Sequence, residues 1–420
     1  MSRSIAFTAA LCVGFCCGSA SANEMPDESG SKVTSIASDE TGSLLDELER
    51  GFYYRLNLMS FGIAQGPKQS NLNPNNLFGV QTYQAVFNPR LDLNLDYKRL
   101  ELSVKERFWN IWQRVEDGKF AGQETNTAQF YLNEWFARFR VLDDLFVSYG
   151  RENLQWGPSV LLSSSNPFNP QNGRNNPRVE VPGLGYARSV WVPSSNWAVS
   201  FIANTDSGRL YNAPIFGLDQ TSFLGPAQTA FSRKFTNAYA LKLDYTGDGK
   251  YISIIPNYRD TTGYQVGYFG GWNVSDAVLL YSEGVVGEHT DFQIQGGASY
   301  TFQEGQSLNI EYYHNNKGCL AASIRQCFLT GQITSTDVYW RQDYVMGQYT
   351  ETKVWRDLNV NLRYIHNLND QSNQMIGLFE YEATDNMLLY LISSGYTGTG
   401  KSEFGSLLKY SVMVGASYTF

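Results

Sequence analysis

The chain has 420 residues, a formal net charge of -8, 17% charged and 15% aromatic residues, and 38 Gly. So many aromatics exclude a disordered chain, and an acidic balance without a basic cluster excludes a nucleic-acid partner. No apolar run of ~20 residues follows the N-terminus, which excludes a helical membrane protein, whereas abundant Tyr, Phe, Gly, Asn and Thr suit strands and turns.

Residues 1–22 read as a secretory signal peptide. Arg3 charges the n-region, Ile5–Cys17 is a short apolar core, and Ala20–Ala22 is an A-x-A cleavage site. Cleavage removes Cys12, Cys16 and Cys17 and leaves Cys319 and Cys327. A close pair in an oxidising compartment is expected to form one loop disulfide. Two thiols without a His or acid cluster do not fill a metal shell, so neither metal nor cofactor is expected. Residues 23–50 are acidic and poor in aromatics and read as a flexible segment, with a short helix available in "SLLDELER", Ser43–Arg50.

From Phe52 the hydrophobic period is two. In "LDLNLDYKRLELSV", Leu91, Leu93, Leu95 and Tyr97 share one face and Asp92, Asn94 and Asp96 the other. A turn at Lys98–Arg99 follows, and alternation returns with Leu100, Leu102 and Val104. The same unit recurs with short turns at Leu142–Asp144, Ser194–Asn196, Gly247–Gly249, Asn273–Asp276, Gln303–Gln306 and Ala383–Asn386. Longer polar connections alternate with them, at residues 63–78, 115–127, 157–184, 205–236, 316–335 and 398–406. No helical segments cover the apolar faces, so those faces are expected to meet lipid. The reading is an all-β chain, a single transmembrane antiparallel β-barrel over residues 51–420 with about 18 strands. Sixteen is the competing count, because Asp337–Asn367 divides in more than one way. A propeller would show blade repeats of fixed length, and none is present.

The signal peptide, the alternating strands and the terminal "YTF" resemble Gram-negative outer-membrane β-barrels of the porin type. The resemblance spans residues 52–420. It implies outer-membrane localisation, contact with outer-membrane lipid, and a last strand whose Tyr418 and Phe420 serve as the signal for the barrel-assembly machinery. It also brings homo-oligomers into view, since general porins are often trimers. A shorter stretch, "YGRENLQWGPSVLLSSSNPFNP", Tyr149–Pro170, is similar to a strand-plus-loop pattern in alginate-export-type and capsule-associated barrels.

Residue parity assigns the lumen. Lys105 and Arg107 on the third strand and Glu134, Arg138 and Arg140 on the fourth face inward, followed by Arg151 and Arg188 on the next two. Their cations are expected to form a ladder on one wall, with opposing acids at Asp92, Glu101, Glu134 and Asp244. A field between such walls sorts polar solutes. The connection 157–184 is stiffened by Pro167, Pro170, Pro177 and Pro182 and is the candidate constriction, with Arg174 and Arg178 in or above the channel and Trp156 and Phe168 anchoring its base. Trp109, Trp112, Trp156 and Trp340 are candidate stacking platforms for sugars. The histidines, His289, His314 and His366, are distant in sequence and build no catalytic constellation, so no enzyme is expected. The functional expectation is a channel for passive diffusion of small hydrophilic solutes. Polysaccharide export or binding is the alternative, and a structural barrel with a closed lumen the reading from another class.

Overall fold

The computed structural model describes residues 44–169, 180–181, 183–206, 237–288, 292–334 and 337–420. The predicted signal peptide, residues 23–43, His289, Arg174 and Arg178 lie outside them. A helix, α1 (Leu44–Gly51), leads into the first strand. The strands are β1 (Phe52–Pro67), β2 (Tyr83–Tyr97), β3 (Leu100–Arg114), β4 (Glu124–Leu142), β5 (Leu145–Glu152), β6 (Leu184–Ser194), β7 (Trp197–Asp206), β8 (Ala238–Gly247) and β9 (Lys250–Arg259). They continue as β10 (Gly263–Asn273), β11 (Val278–Gly287), β12 (Phe292–Thr301), β13 (Ser307–Asn315), β14 (Asp343–Trp355), β15 (Leu358–Asn367), β16 (Asn373–Thr384), β17 (Met387–Thr397) and β18 (Leu408–Thr419). A short helix, α2 (Ile324–Leu329), lies between β13 and β14.

Each strand pairs antiparallel with its chain neighbour, and β1 pairs with β18, so the 18-stranded sheet closes on itself. Closure leaves no edge with unpaired N–H and C=O groups, the condition for a sheet in lipid. The count of 18 is resolved at the segment that divides two ways. There β14 reverses into β15 at Arg356–Asp357, with Arg356 at φ 54°. The short turns lie at one end with both ends of the barrel chain, and the longer connections at the other. At the short-turn end α1 is tied down by Glu47, 3.3 Å from Lys98 in the β2–β3 turn.

Alternation places the side chains. On β2, Tyr83, Ala85 and Phe87 are exposed while Gln84, Val86 and Asn88 are buried. One β-bulge sets the parity of β4. Lys105 pairs with Glu134 but the next residue, Glu106, pairs with Leu132, so Asn133 is extra. Asn133 and Glu134 are consequently both buried.

The interior is divided. The arc from β13 through β18 to β1 presents apolar side chains inward: Met59, Phe61 and Ile63 of β1, Met346, Ile365, Ile376, Leu378, Ile392 and Met413. They pack with Tyr339 and Phe404 from the connections above, so this side of the barrel is filled. Above it lies a second apolar cluster of Leu72, Cys319, Ile324, Cys327, Ile333 and Trp340, with Cys319 and Cys327 bonded through their sulfurs. Buried polar groups lock this cap. Arg341 donates to Asp370 at 2.8 Å, and Glu403 accepts from the Trp340 amide at 3.0 Å and from Asn367 Nδ2 at 2.8 Å.

The last strand completes the wall. Val412 and Val414 face outward, Ser411, Met413 and Ser417 inward. Its ladder to β1 runs in unbroken register from Asn57–Thr419 to Gly66–Tyr410 and ends, after an irregularity, at Pro67–Leu408. The Phe420 amide donates to the Leu56 carbonyl at 2.9 Å, and the Tyr418 and Phe420 rings meet edge-on at 4.7 Å. A Cβ on Gly415 would lie 2.2 Å from Phe61 Cδ1, so only glycine lets the Phe61 ring cross the closing seam.

Candidate functional site in the lumen

The wall opposite the apolar arc carries the charges, and register sets which of them meet. Asp92 is opposite Lys105, Lys105 opposite Glu134, and Glu101 opposite Arg138. Lys105 bonds Glu134 at 3.0 Å, Arg107 meets Asp92 at 2.9 Å, and Arg138 bonds Glu101 at 2.8 Å. Asp92 also takes Arg55 of β1 at 2.7 Å. Farther round, Glu152 lies 3.6 Å from both Arg138 and Arg188. On β8, Lys242 bonds Asp244 at 2.7 Å and lies over the Trp156 ring at 5.7 Å.

The expected arrangement, a ladder of cations facing acids across the lumen, is therefore corrected in one respect. Glu101 and Glu134 belong to the same strands as the cations and Asp92 to the strand beside them, and cross-strand neighbours pair before anything across the lumen does. The wall is a mosaic of ion pairs. Arg140 extends it at the short-turn end, where its guanidinium lies 5.4 Å from the centre of the Phe146 ring.

Arg151 departs from the expected lining. It shares the exposed parity of Val147 and Tyr149 and is opposite Trp135 on the outer face. Its guanidinium bonds the Leu132 carbonyl at 3.1 Å and approaches Asp206 at 3.9 Å. The inward residue at this strand end is Glu152, 4% exposed.

The connection from β5 to β6 leaves the wall after Glu152 and runs inside the barrel. Leu154, Trp156, Ser159–Ser165 and Phe168 are buried. At its base Trp156 meets Phe168 edge-on at 6.2 Å, and Phe168 meets Tyr186 of β6 at 5.0 Å. Val160, Leu161 and Leu162 join the apolar arc. Residues 160–165 are received by two carboxylates that are 0% exposed, Glu283 on β11 and Glu311 on β13. Glu311 accepts the amides of Val160 at 2.9 Å and Leu161 at 3.2 Å, and the Tyr281 hydroxyl at 2.8 Å. Glu283 accepts the Ser163 hydroxyl at 2.6 Å and, from Ser165, the amide at 3.1 Å and the hydroxyl at 2.7 Å. The returning limb is held on the charged wall, where Arg107 grips Glu180 and Asn133 Nδ2 reaches the Val181 carbonyl at 3.4 Å. The connection thus spans the lumen from the β3–β4 wall to the β11–β13 wall.

Of the tryptophans singled out as platforms, Trp109 is buried against Tyr131 at 6.3 Å and Trp156 lies under Lys242. Trp340 is locked in the cap against Phe328 at 4.9 Å. Trp112 is opposite the exposed Ala85 and belongs to the outer face. Sequence reasoning missed Glu152, Glu180, Glu283 and Glu311. Three of these sit in strands, and Glu283 and Glu311 were detectable as lone carboxylates at inward parity in "VLLYSEGVVG" and "SLNIEYYHN".

The chain matches no family model, and no curated protein sequence is similar to it. Its fold is that of several solved structures. Pseudomonas aeruginosa OccK11 (OpdR) superposes with a TM-score of 0.53 at 12% identity, covering 89% of this chain and 96% of that one. Acinetobacter baumannii OccAB3 gives 0.55 at 12% identity, over 88% and 99% of the two chains. The outer membrane protein OprD from Pseudomonas aeruginosa gives 0.52 at 9% identity, over 87% and 94%. At such identities the likeness is one of architecture.

Proposed function

We propose that the chain is an outer-membrane channel for the passive diffusion of small hydrophilic solutes. The observation that carries this reading is the closed 18-stranded barrel with the described part of its β5–β6 connection folded inside and held on the inner wall. The path runs off-centre, along the mosaic of ion pairs on β2–β8, because the β13–β1 side is packed with apolar side chains under the cap. Size is filtered by the seated connection. Charge is filtered by Lys105, Arg107, Arg138, Arg140 and Arg188 against Asp92, Glu101, Glu134 and Glu152. The likeness to OprD, an outer membrane protein, supports the compartment. Exposed Tyr418 and Phe420 at the short-turn end suit recognition by the barrel-assembly machinery and contact with interfacial lipid.

Conductance across a planar bilayer tests the reading. Steady openings that pass salt and small sugars are expected. Absence of conductance by the folded, reconstituted barrel overturns it. Block by acidic oligosaccharides would move the assignment to polysaccharide export.

A further inference from the structure

We infer that Glu283 and Glu311 are the positioning residues that set the size limit of the channel, by acting as a carboxylate seat for the β5–β6 connection. This rests on the channel reading above and names the groups that determine its selectivity for size. Neither side chain lies on the charged wall along which solutes are proposed to pass. Both are fully buried behind the connection.

A carboxylate is acceptor-only when ionised, and each oxygen takes more than one donor. A loop folded into a lumen has the opposite need. Its amides have left water and lack a ladder, and an amide left without an acceptor there is destabilising. The two needs meet here. Glu311 closes the amides of Val160 and Leu161, and Glu283 closes the Ser165 amide and the hydroxyls of Ser163 and Ser165. Charge-assisted bonds of this kind are about twice as strong as neutral ones. They concentrate within Val160–Ser165, the stretch of the connection that crosses to β11 and β13. The opposite limb is fixed independently by Arg107 and Glu180.

Close approach at two glycines supports the seat by a route that does not depend on charge. Gly157, at φ 89°, passes so near Glu283 that a Cβ there would lie 2.2 Å from its Oε2. On β10, a Cβ on Gly267 would lie 2.7 Å from the Ser165 carbonyl oxygen. The wall is bare of side chain where the connection presses on it. An ordinary lumen-facing position would carry one.

Beside the seat, Gln295 of β12 is opposite Glu283 and 0% exposed, so a buried polar side chain backs the carboxylate from the next strand.

The test measures single-channel conductance, the size limit for neutral sugars in proteoliposome swelling, and reversal potential in a salt gradient, on barrels shown to be folded by heat-modifiable gel mobility. The double variant Glu283→Gln/Glu311→Gln is expected to raise conductance at least about twofold and to admit larger sugars. Gly267→Val leaves both carboxylates in place and adds no charge, yet displaces the Ser165 backbone. It is expected to raise conductance and size limit in the same direction with reversal potential unchanged. Ser163→Ala/Ser165→Ala removes only hydroxyl donors and is expected to give a smaller rise. If the glutamates served merely as lumen charge, the double Gln variant would shift reversal potential alone and Gly267→Val would do nothing. That pattern, or wild-type size limits in all folded variants, overturns the inference while leaving the channel reading intact. A wild-type barrel that does not conduct overturns the channel reading instead.

Discussion

Arg107 holds Glu180 by a fork, Nε to both carboxylate oxygens at 2.9 and 2.8 Å and Nη2 to Oε1 at 2.6 Å, while Nη1 reaches Asp92 at 2.9 Å. One guanidinium therefore ties the returning limb of the β5–β6 connection to two strands of the wall. With the Arg107 side chain 4% exposed, removing it takes the fork from Glu180 and leaves Asp92 with Arg55 as its cation. Breaking such a buried pair costs roughly 3–5 kcal/mol. Arg107→Ala is expected to lower the thermal unfolding midpoint in detergent and to expose residues 153–181 to protease. Arg107→Lys keeps the charge but loses the planar fork and should fall between the two. An Arg107→Ala barrel that melts and resists protease like wild type would show that the fork holds nothing.

Glu152 sits at 3.6 Å between Arg138 and Arg188 and offsets both. Glu152→Gln removes one negative charge from beside Arg188 and from beside Arg138, which keeps Glu101 at 2.8 Å, without changing the volume of the wall. The reversal potential in a salt gradient should move toward anion selectivity, and Arg138→Glu should move it the other way. Unchanged selectivity in both folded variants would place the ion path away from this wall.

The cap has a pH dependence of its own. Burial pushes the Glu403 carboxyl up to about 7 from 4.5, with Asp370 adding to the rise and the donors Tyr344 and Trp340 and the Arg341 cation opposing it. A carboxyl raised in the folded state binds its proton more tightly there than in the unfolded chain. Cap stability is then greatest at low pH and falls as pH rises from about 4.5 to about 7. Proteolysis of residues 316–342 should accelerate across that window in the wild type. Glu403→Gln should flatten the profile, and a sloping profile in that variant would assign the effect to another group.

The Cys319–Cys327 bond closes a short loop, with a sequence separation of 8, over the buried Trp340 and Ile333. Chain-entropy reasoning gives a loop of this length ~2–3 kcal/mol. Reduction, or Cys319→Ser with Cys327→Ser, should speed proteolysis in the cap while leaving the sheet intact. Arg341, which donates to the Cys319 carbonyl at 3.1 Å, should retain part of the local order. Equal proteolysis rates with and without the bond would show that packing alone holds the cap.

Strand count, turn positions and the inward parity of β2–β4 were legible because each depends on period two and on turn residues alone. Asp92, Glu101, Lys105, Arg107, Glu134 and Arg138 all follow from counting along strands. Three things were not legible, each for a physical reason. Apolarity does not distinguish lipid from a filled lumen. On β1, Met59, Phe61 and Ile63 point inward while Ser60 and Gly62 point out, because folded connections supply an apolar interior. Pairing across strands needs register, so the acids read as a facing wall are neighbours of the cations. Strand ends carry no parity, and Arg151 was placed one step from Glu152, the residue that faces in. The seat at Glu283 and Glu311 joins segments 118 to 151 positions apart, beyond the reach of local pattern.

The seam between β1 and β18 has a consequence for how the molecule is made. Asn57 Nδ2 donates to Thr419 Oγ1 across 362 positions of sequence, and Phe61 crosses Gly415 beside it. Contacts so distant along the chain are the slowest to form. Until β1 and β18 meet, both margins of the sheet are open templates for any other strand. Closure of this seam is thus expected to be the slow step of folding, and the unclosed sheet the form most open to pairing with a second copy of the chain.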